Sequence, residues 1–581
     1  MKKTTSFITF ILLLASIYSI AQTTPQLILE TGMHTLVPRR IASDSEGKLL
    51  LTCSDDKTAR LWDAENGNLL KTFRIPISNE TGKLYACSIS PGGKIIALGG
   101  ETDYETKGSY SVYILNTQTA EINYTITDLP AAINDVSFSL DGKYLAVGFW
   151  GEEGVNIYDT ETWSLKQHLA DYKGTVHCMR FNPVTKEFAT LSYDGMLRVY
   201  DKAFNLINST DCDEEKGPIS IAYNEKGNLL AVAYSQSTVI EVRDASKLTI
   251  LYNPTTNQSW GYNAKISQLC FSKKGDFLTG AGDLKGYSSG DGYYKIRTWE
   301  QNGKTTFKDK TLFSGFVYGL IALPKNRIAV VTDHPEVAVV NDSGTIVWRN
   351  CTEKINDIYE SYFKINETGN EISIQVIQNV SDLKFNIANR NVSYISPEKS
   401  SLQEPSNHNA GTTVTNHWGH IDKPIINENK LLYYFGSYEV CQCADVSNDG
   451  KTVCIGTSRG LYLFSKDGDL LWKIPLSLNV DAVNISGNGK VVATALKDGT
   501  IKWYSMKNGK ELLTLFLNAD KTQWVLFTPT GYYDTSPGSE SYLGWYIDNG
   551  PDKAPGFNPA STFRKEYRRP DVINRILSSE F

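Results

Sequence analysis

A unit of about 40 residues recurs along this 581-residue chain, and this repeat limits the folds that the chain can adopt. The clearest unit, residues 45–70, reads as a turn, an apolar strand, a tight turn and an alternating strand that ends at Trp62-Asp63. Later units end at Asp159, Asp201 and Asp244, and these positions are 42 and 43 residues apart. A period near 40 with four short strands per unit is typical of a β-propeller.

The number of units predicts more than one propeller. Eleven units and a partial twelfth at residues 523–547 exceed the four to eight blades of a single ring. We therefore predict an all-β fold of tandem β-propellers with four-stranded blades, the first at residues 22–350 and the second, degenerate one at residues 351–547. Divisions into seven plus five and into six plus six blades both fit the units. Residues 26–30 read as an outer strand that closes a ring by pairing with a chain-distant blade.

The unit that ends at Trp62 resembles WD repeats. In that family a His, a strand Ser or Thr, a turn Asp and a Trp form a hydrogen-bonded network within each blade. The resemblance assigns these positions to His34, Ser54, Asp56 and Trp62. The unit at residues 173–201 keeps the Ser and the Asp but has Tyr200 at the Trp position. The resemblance implies a structural network rather than a catalytic one.

The segment after the last full repeat differs from all the others. It reads "WVLFTPTGYYDTSPGSESYLGWYI", a hairpin that could complete the final blade, followed by "PASTFRKEY" and "RPDVINRIL", which predict two short helices in residues 548–581. Over about 55 residues it resembles the junction in bacterial proteins that carry WD repeats beside a caspase-like peptidase domain. We expect no peptidase domain in this chain. The resemblance implies a caspase-like peptidase on a separate chain as a possible partner.

The first 21 residues resemble a secretory signal peptide. Lys2 and Lys3 precede a short apolar run, and small residues follow at the usual cleavage spacing. The apolar run is too short for a membrane anchor, so we expect an exported protein without a membrane span, periplasmic or extracellular. The net charge of −6, with scattered Lys and Arg, offers no phosphate-binding stripe, so nucleic acid is not expected as a partner.

The chain shows no sequence pattern that predicts an enzyme. The G-x-S-x-G match "GTSRG" lies in a repeat turn between two strands, and a nucleophile elbow needs a helix after the Ser. Most of the nine Cys lie in apolar strands and read as packing residues. His408, His417 and His420 could supply metal ligands, but no acidic or Cys ligand set accompanies them. We predict no catalytic residue, no cofactor and no bound metal.

Two long connections and the C-terminal segment predict binding surfaces. Residues 101–109 and 283–293 expand the second-to-third strand connection of their blades, and both should rise on one face of the first ring. Candidate partner-binding residues there and in the C-terminal segment are Tyr104, Tyr110, Tyr287, Tyr293, Tyr294, Phe563, Arg564 and Arg568. We predict a non-enzymatic scaffold that binds protein or glycan at these loops; the alternative is an adaptor for a caspase-like peptidase.

Overall fold

Seven four-stranded antiparallel sheets occupy the first three-fifths of the chain. The computed structural model describes residues 25–577 except for 77–80, 104–107, 257–264, 276, 286–293, 301–305, 343, 356–357, 359, 378–380, 396–400, 417–423, 432–434 and 437–438. The predicted signal peptide, residues 1–21, lies outside the described residues. Each of the seven sheets is built from one continuous segment, which confirms the predicted all-β fold of four-stranded blades.

The strands of these sheets are short, as expected for propeller blades. The first four sheets are β2 (Pro38–Ser43), β3 (Leu49–Ser54), β4 (Thr58–Asp63) and β5 (Leu69–Arg74); β6 (Leu84–Ile89), β7 (Ile95–Gly100), β8 (Tyr110–Asn116) and β9 (Ile122–Leu129); β10 (Ile133–Phe138), β11 (Tyr144–Phe149), β12 (Val155–Asp159) and β13 (Leu165–Leu169); and β14 (Val176–Phe181), β15 (Phe188–Ser192), β16 (Met196–Tyr200) and β17 (Leu206–Asp211). The other three are β18 (Pro218–Tyr223), β19 (Leu229–Tyr234), β20 (Ile240–Asp244) and β21 (Ile250–Tyr252); β22 (Lys265–Phe271), β23 (Phe277–Lys285), β24 (Tyr294–Glu300) and β25 (Phe307–Phe313); and β26 (Val317–Leu323), β27 (Arg327–Thr332), β28 (Glu336–Val340) and β29 (Ile346–Cys351).

The first strands of the seven sheets form a closed circle. Each first strand contacts the first strand of the next sheet, and β26 of the seventh sheet contacts β2 of the first. Second strands are buried on both faces, as in β3 and β11, because a neighbouring sheet covers each side. Fourth strands alternate between half-buried and exposed residues, as in β29, because they form the outer edge. We call this body the first ring.

The Asp that ends each clear repeat shapes the turn into the fourth strand. A carboxylate oxygen of Asp63 accepts the backbone N–H of Glu65 at 2.7 Å, and Asp159 accepts that of Glu161 at 2.9 Å. An Asp side chain that binds the backbone two residues later mimics a turn. The sequence signal of the repeat, an aromatic residue followed by Asp, is therefore the end of a buried third strand followed by a side-chain-stabilised turn.

Within the described residues, four further sheets follow the first ring. Their strands are β30 (Phe363–Ile365), β31 (Glu371–Ile377), β32 (Ser381–Asn386) and β33 (Asn391–Ile395); β34 (His408–Asn409), β35 (Thr412–Thr415), β36 (Ile425–Ile426) and β37 (Asn429–Lys430); β38 (Cys441–Val446), β39 (Thr452–Thr457), β40 (Gly460–Ser465) and β41 (Leu470–Pro475); and β42 (Val480–Ile485), β43 (Val491–Leu496), β44 (Thr500–Ser505), β45 (Glu511–Leu517), β46 (Trp524–Phe527) and β47 (Tyr533–Thr535).

The last of these sheets is longer than the other three. Strands β46 and β47 were expected to start a twelfth unit, but β46 pairs with β45 and extends the preceding sheet to six strands. Strand β42 of this sheet contacts both β38 and β30, so the first and the fourth of these sheets lie next to each other. We call these four sheets the second unit.

The N-terminal strand joins the C-terminal segment rather than the first ring. Strand β1 (Gln26–Leu29) pairs antiparallel with β48 (Leu543–Ile547), which also pairs with β49 (Gly556–Pro559). The sequence correctly suggests a chain-distant partner for β1, but the pair forms a separate three-stranded sheet and does not close a blade. Leu27 and Trp545 of this sheet are buried against Val525 and Phe516 of the second unit. We call β1, β48 and β49 the terminal sheet.

Glu30 connects the terminal sheet to the first ring. Its carboxylate accepts from Arg60 at 2.8 Å and forms a second ion pair with Arg74, both in the outer half of the first blade. Its backbone N–H donates to Tyr542 O at 2.7 Å. The guanidinium of Arg74 also lies 3.9 Å above the ring centre of Phe557 in β49. This buried cluster holds together segments that are about 500 residues apart in the chain.

The C-terminal segment is helical only in short pieces. A 3₁₀ turn (Ala560–Phe563) leads into α1 (Arg564–Tyr567), and α2 (Pro570–Arg575) begins with its Pro at the first helical position, as expected. Ile573 of α2 is buried in the core of the second unit. No helix in the described part of the chain is long and apolar enough to span a membrane. All nine Cys are free thiols, and all but Cys351 are buried.

Candidate binding site at the channel of the first ring

Every first strand of the first ring has a β-bulge close to its start. In each case the pairing with the second strand skips one residue, which leaves that residue outside the ladder. The seven skipped residues, which we call the bulge residues, are Arg39, Tyr85, Asn134, His177, Ile219, Ser267 and Tyr318. All seven line one central cavity of about 570 Å³. A bulge redirects a side chain out of the regular pleat, so the ring delivers one side chain per blade to the same channel.

Arg39 is held rigidly between two aromatic bulge residues. Its guanidinium lies 5.6 Å from the ring centre of Tyr85 and 5.5 Å from that of Tyr318. Two parallel hydrogen bonds join it to Asp55, with Nε to Oδ1 at 2.8 Å and Nη2 to Oδ2 at 2.6 Å. The Asp55 carboxylate holds the pKa of Arg39 above its ordinary value although burial lowers it. Arg39 is therefore charged, oriented and about one-third exposed at the channel.

Three aromatic residues lie beside the channel on the face where second strands end. Trp150 follows β11 and is 48% exposed, and Tyr193 follows β15 and is 45% exposed. The ring of Tyr193 meets the bulge residue His177 edge-on at 3.9 Å, and Phe316 meets Tyr318 at 5.0 Å. Aromatic residues on a rigid frame are typical of interaction hot spots. We call Trp150, Tyr193 and Phe316 the aromatic rim.

The deeper channel wall holds two guanidinium groups around one carboxylate. Arg40 Nε and Arg180 Nη1 each lie 3.6 Å from an oxygen of Asp135. The same two oxygens accept the backbone N–H groups of Val136 at 3.1 Å and Met179 at 3.0 Å. Burial, together with the charge of Arg40, lowers the pKa of the nearby His177 to about 3, so its imidazole is neutral at pH 7. This wall therefore carries an excess of one positive charge.

The sequence pattern does not point to the bulge residues. It selected the long connections, of which Tyr104, Tyr287 and Tyr293 lie outside the described residues. Tyr110 and Tyr294 are half-buried at the starts of β8 and β24, and Tyr294 meets Phe316 of the aromatic rim edge-on at 6.5 Å. Both connections do join a second to a third strand. In six of the seven first strands the bulge residue is the second residue, and in β22 it is the third.

The C-terminal candidates lie apart from the channel and take part in packing. Phe563 meets Trp545 of the terminal sheet edge-on at 5.6 Å. Arg564 forms an ion pair with Glu540, which lowers the pKa of that carboxyl. Arg568 forms a backbone bridge to Tyr533. The segment is therefore part of the folded body, and its exposed Arg side chains border a groove of about 390 Å³.

The network predicted around Trp62 uses Thr52 where the sequence pattern pointed to Ser54. The indole N–H of Trp62 donates to Thr52 Oγ1 at 2.9 Å, and His34 Nε2 lies 2.8 Å from the same oxygen. His34 Nδ1 lies 2.9 Å from Asp56 Oδ2. Ser54 instead donates to Leu36 O at 2.9 Å and accepts the backbone N–H of Asp56. Residues 52 and 54 share one face of β3, but it is the Thr52 hydroxyl that the indole N–H reaches.

Replacing Trp62 by Phe should lower the free energy of unfolding by about 1–3 kcal/mol, because the buried Thr52 hydroxyl loses its indole donor. Urea unfolding of the two proteins measures this. Combining the change with Thr52→Val should cost less than the sum of the two single changes, whereas combining it with Ser54→Ala should be additive. Additivity in both pairs, or an unchanged midpoint for Trp62→Phe, would show that the indole is not bonded to Thr52.

The degenerate fourth blade keeps an equivalent network with different residues. The hydroxyl of Tyr172 lies 2.7 Å from Thr190 Oγ1 and 3.0 Å from the hydroxyl of Tyr200. Tyr172 thus stands where the first blade has His34, and Tyr200 stands where it has Trp62. Asp194 accepts from Ser192 and pairs with Arg198 at 2.7 Å. The sequence shows Tyr200 at the Trp position, but it does not show that Tyr172 replaces the His.

The structure describes only one of the three His residues that the sequence singled out as candidate metal ligands. His408 lies at the surface, with Nδ1 2.5 Å from Thr413 Oγ1. His417 and His420 lie outside the described residues. Among the residues that are described, no group of three or more His, Cys, Asp or Glu is placed to hold a metal ion.

The closed ring, its blade networks and its central channel define a propeller of WD-like blades. The WD40 family, described as WD domain, G-beta repeat, matches residues 31–63 and 160–201. The first match contains the His34–Thr52–Trp62 network, and the second ends after Tyr200. These matches support a WD-repeat protein, as the sequence pattern around Trp62 suggests. The resemblance of the C-terminal segment to a caspase-associated junction stays a prediction.

Several WD-repeat proteins are similar to part of this chain. WD repeat-containing protein SL1-17 of Schistosoma mansoni is 28% identical over 168 residues, which are 29% of this chain and 52% of that protein. The human serine-threonine kinase receptor-associated protein is 26% identical over 198 residues, 33% of this chain and 51% of that protein. THO complex subunit 3 of Arabidopsis thaliana is 23% identical over 265 residues, 44% of this chain and 75% of that protein. The chain spans about half the length of the first two.

Proposed function

We propose that this protein is a non-enzymatic scaffold that binds another protein at the aromatic rim and channel of the first ring. The observation that carries this proposal is the convergence of seven bulge residues on one cavity, with Trp150 and Tyr193 exposed beside it. Rigid aromatic and Arg side chains lose little conformational entropy when a partner binds. The similar proteins are named as a kinase receptor-associated protein and as a complex subunit, which agrees with a role in protein assembly.

Two finer parts of the proposal rest on the sequence. Export to the periplasm or the extracellular space depends on the signal-peptide pattern of residues 1–21. A caspase-like peptidase is one candidate partner, because of the resemblance of residues 523–577 to a junction found beside such peptidases. A glycan ligand at the long connections, residues 101–109 and 283–293, was the other sequence-based candidate. The aromatic rim favours a protein partner, since the channel beside it adds charged groups that a neutral glycan does not need.

Site-specific crosslinking tests the rim directly. A photoreactive phenylalanine at position 193 should crosslink to a partner protein in cells that make the protein, whereas the same residue at position 124 should not. Tyr124 is a matched control, because it is 42% exposed on the outer strand β9, while Tyr193 is 45% exposed at the channel. Equal crosslinking at both positions, or crosslinking only at position 124, would contradict binding at the rim.

A further inference from the structure

Two cations in the channel share one carboxylate, and this imbalance suggests what the channel binds. Asp135 is 5% exposed and already accepts two backbone N–H groups, while Arg40 and Arg180 approach it only to 3.6 Å. A separation of 3.6 Å is longer than a normal N–H···O hydrogen bond. Asp135 therefore balances part of the charge of the two guanidiniums but does not satisfy their N–H groups.

Arg180 has the position and the freedom to meet a ligand. Its side chain is 43% exposed although protein surrounds it, because it faces the central cavity. Within the described residues it donates one hydrogen bond, from Nη1 to Met179 O at 2.8 Å, and its side chain lines the cavity. Arg40 is more fixed, since Nη2 donates to His177 O at 3.0 Å and to Asn134 O at 3.3 Å.

The imidazole of His177 offers a hydrogen-bonding atom to a ligand in the cavity. Its Nε2 is buried and has no hydrogen-bond partner among the described residues, and the side chain lines the same cavity. A buried polar atom without a partner costs free energy, which a ligand that reaches it would recover. Since His177 is neutral, it can donate one hydrogen bond without adding a charge.

We propose that the channel of the first ring binds one carboxylate of an acidic peptide segment, with Arg180 as the main contact and Arg40 and His177 beside it. The proposal rests on the proposed function, because it names the chemistry of the partner that the aromatic rim holds. One excess positive charge matches a monoanion, and the planar guanidinium of Arg180 matches the two oxygens of a carboxylate. The carboxylate belongs either to a Glu or Asp side chain or to the C-terminus of the partner.

Short peptides test this proposal on the purified full-length protein. The probes are acetyl-Gly-Glu-Gly-amide, the same peptide with Gln, the same peptide with phosphoserine, and acetyl-Gly-Gly-Gly with a free C-terminus. We expect the Glu peptide or the free-acid peptide to bind in calorimetric titration, at least tenfold more tightly than the Gln peptide. The peptide with the higher affinity shows whether the carboxylate comes from an acidic side chain or from a C-terminus. Tenfold tighter binding of the phosphoserine peptide would overturn the assignment to a carboxylate, and so would the absence of binding.

Variants separate this proposal from the broader one. Arg180→Gln should reduce the affinity for the carboxylate peptide at least tenfold, while Arg569→Gln, which changes an Arg that is 47% exposed in the C-terminal segment, should not. If Arg180→Gln does not fold, Arg180→Lys keeps the charge but loses the planar fork, and we expect a smaller loss of affinity. Unchanged peptide binding in the Arg180 variants would overturn the carboxylate site. Crosslinking at position 193 tests protein binding at the aromatic rim independently of Arg180. A failure of the carboxylate site can therefore be told apart from a failure of the proposed function.

Discussion

Replacing Glu30 by Ala should lower the free energy of unfolding by about 3–5 kcal/mol, because Arg60 and Arg74 would stay buried without their shared carboxylate. The side chains of Arg60 and Arg74 are only 3% and 10% exposed. Although burial raises the pKa of Glu30, the charges of Arg60 and Arg74 bring it below its ordinary value. Urea unfolding of the variant and the unchanged protein at pH 7 measures the effect.

Glu65→Ala is the matched control for this experiment. Glu65 also bridges two cations, Lys325 at 3.3 Å and Arg327 at 2.8 Å, but its side chain is 63% exposed. Water screens exposed pairs, so we expect little change in the unfolding midpoint. The effect of Glu30 should also shrink in acid: a carboxyl with a lowered pKa stabilises the fold above its unfolded pKa, and this is lost as pH falls through its folded pKa. Equal effects of Glu30→Ala and Glu65→Ala at pH 7 would contradict the buried cluster.

The stability of the second unit should fall as pH rises from about 4 to 8. Burial raises the pKa of Asp445 to about 7, and it also raises that of Glu360 to about 7. In the unfolded chain these carboxyls ionise near pH 4, so the folded form alone keeps its protons between pH 4 and 7. A raised acid pKa gives stability that is present at low pH and is lost as pH rises through the folded value. For Asp445 this loss is on the order of 4 kcal/mol.

Asp445→Asn tests this pH dependence. The Asp445 carboxyl accepts the backbone N–H groups of Ser406 and Ile485, both at 2.7 Å, and so joins the strands of two neighbouring sheets. An Asn would turn an N–H₂ group toward one of these donors, so the variant should be less stable at every pH. The decisive measurement is the slope of the melting temperature against pH. Calorimetry between pH 4 and 8 should give a smaller slope for the variant. An unchanged slope would show that Asp445 does not titrate in this range.

The architecture was largely readable from the sequence, because repeats report directly on local structure. Asp63, Asp159 and Asp244 each end a third strand and Asp201 directly follows one, and the side-chain turn that comes next needs only neighbouring residues. The all-β fold of four-stranded blades followed from this local signal. The path of residues 524–547 did not, since the choice between extending a sheet and pairing with β1 depends on contacts across the whole chain.

The candidate site was less predictable, because it depends on register. A β-bulge is a mismatch between two strands, so no single strand shows it, and Arg39 or His177 reads as an ordinary strand residue. The same limit explains the choice of Ser54 over Thr52. Both hydroxyls are two residues apart on one face of β3, and only the position of Trp62 on the neighbouring strand decides between them. Strand alignment, rather than residue type, carries this information.

The pairing of β1 with β48 determines the order in which parts of the protein can fold. Strand β1 is synthesised long before its partner strand, because 514 residues separate Leu29 from its partner Leu543. At about 5–20 residues per second, synthesis of the intervening chain takes roughly 30–100 s. The seven blades of the first ring each pair within one continuous segment, so they can form during this time without β1. Glu30 therefore stays without its terminal-sheet neighbours until residues 542–557 have been made, and its joint with the terminal sheet can form only after the first ring has been synthesised.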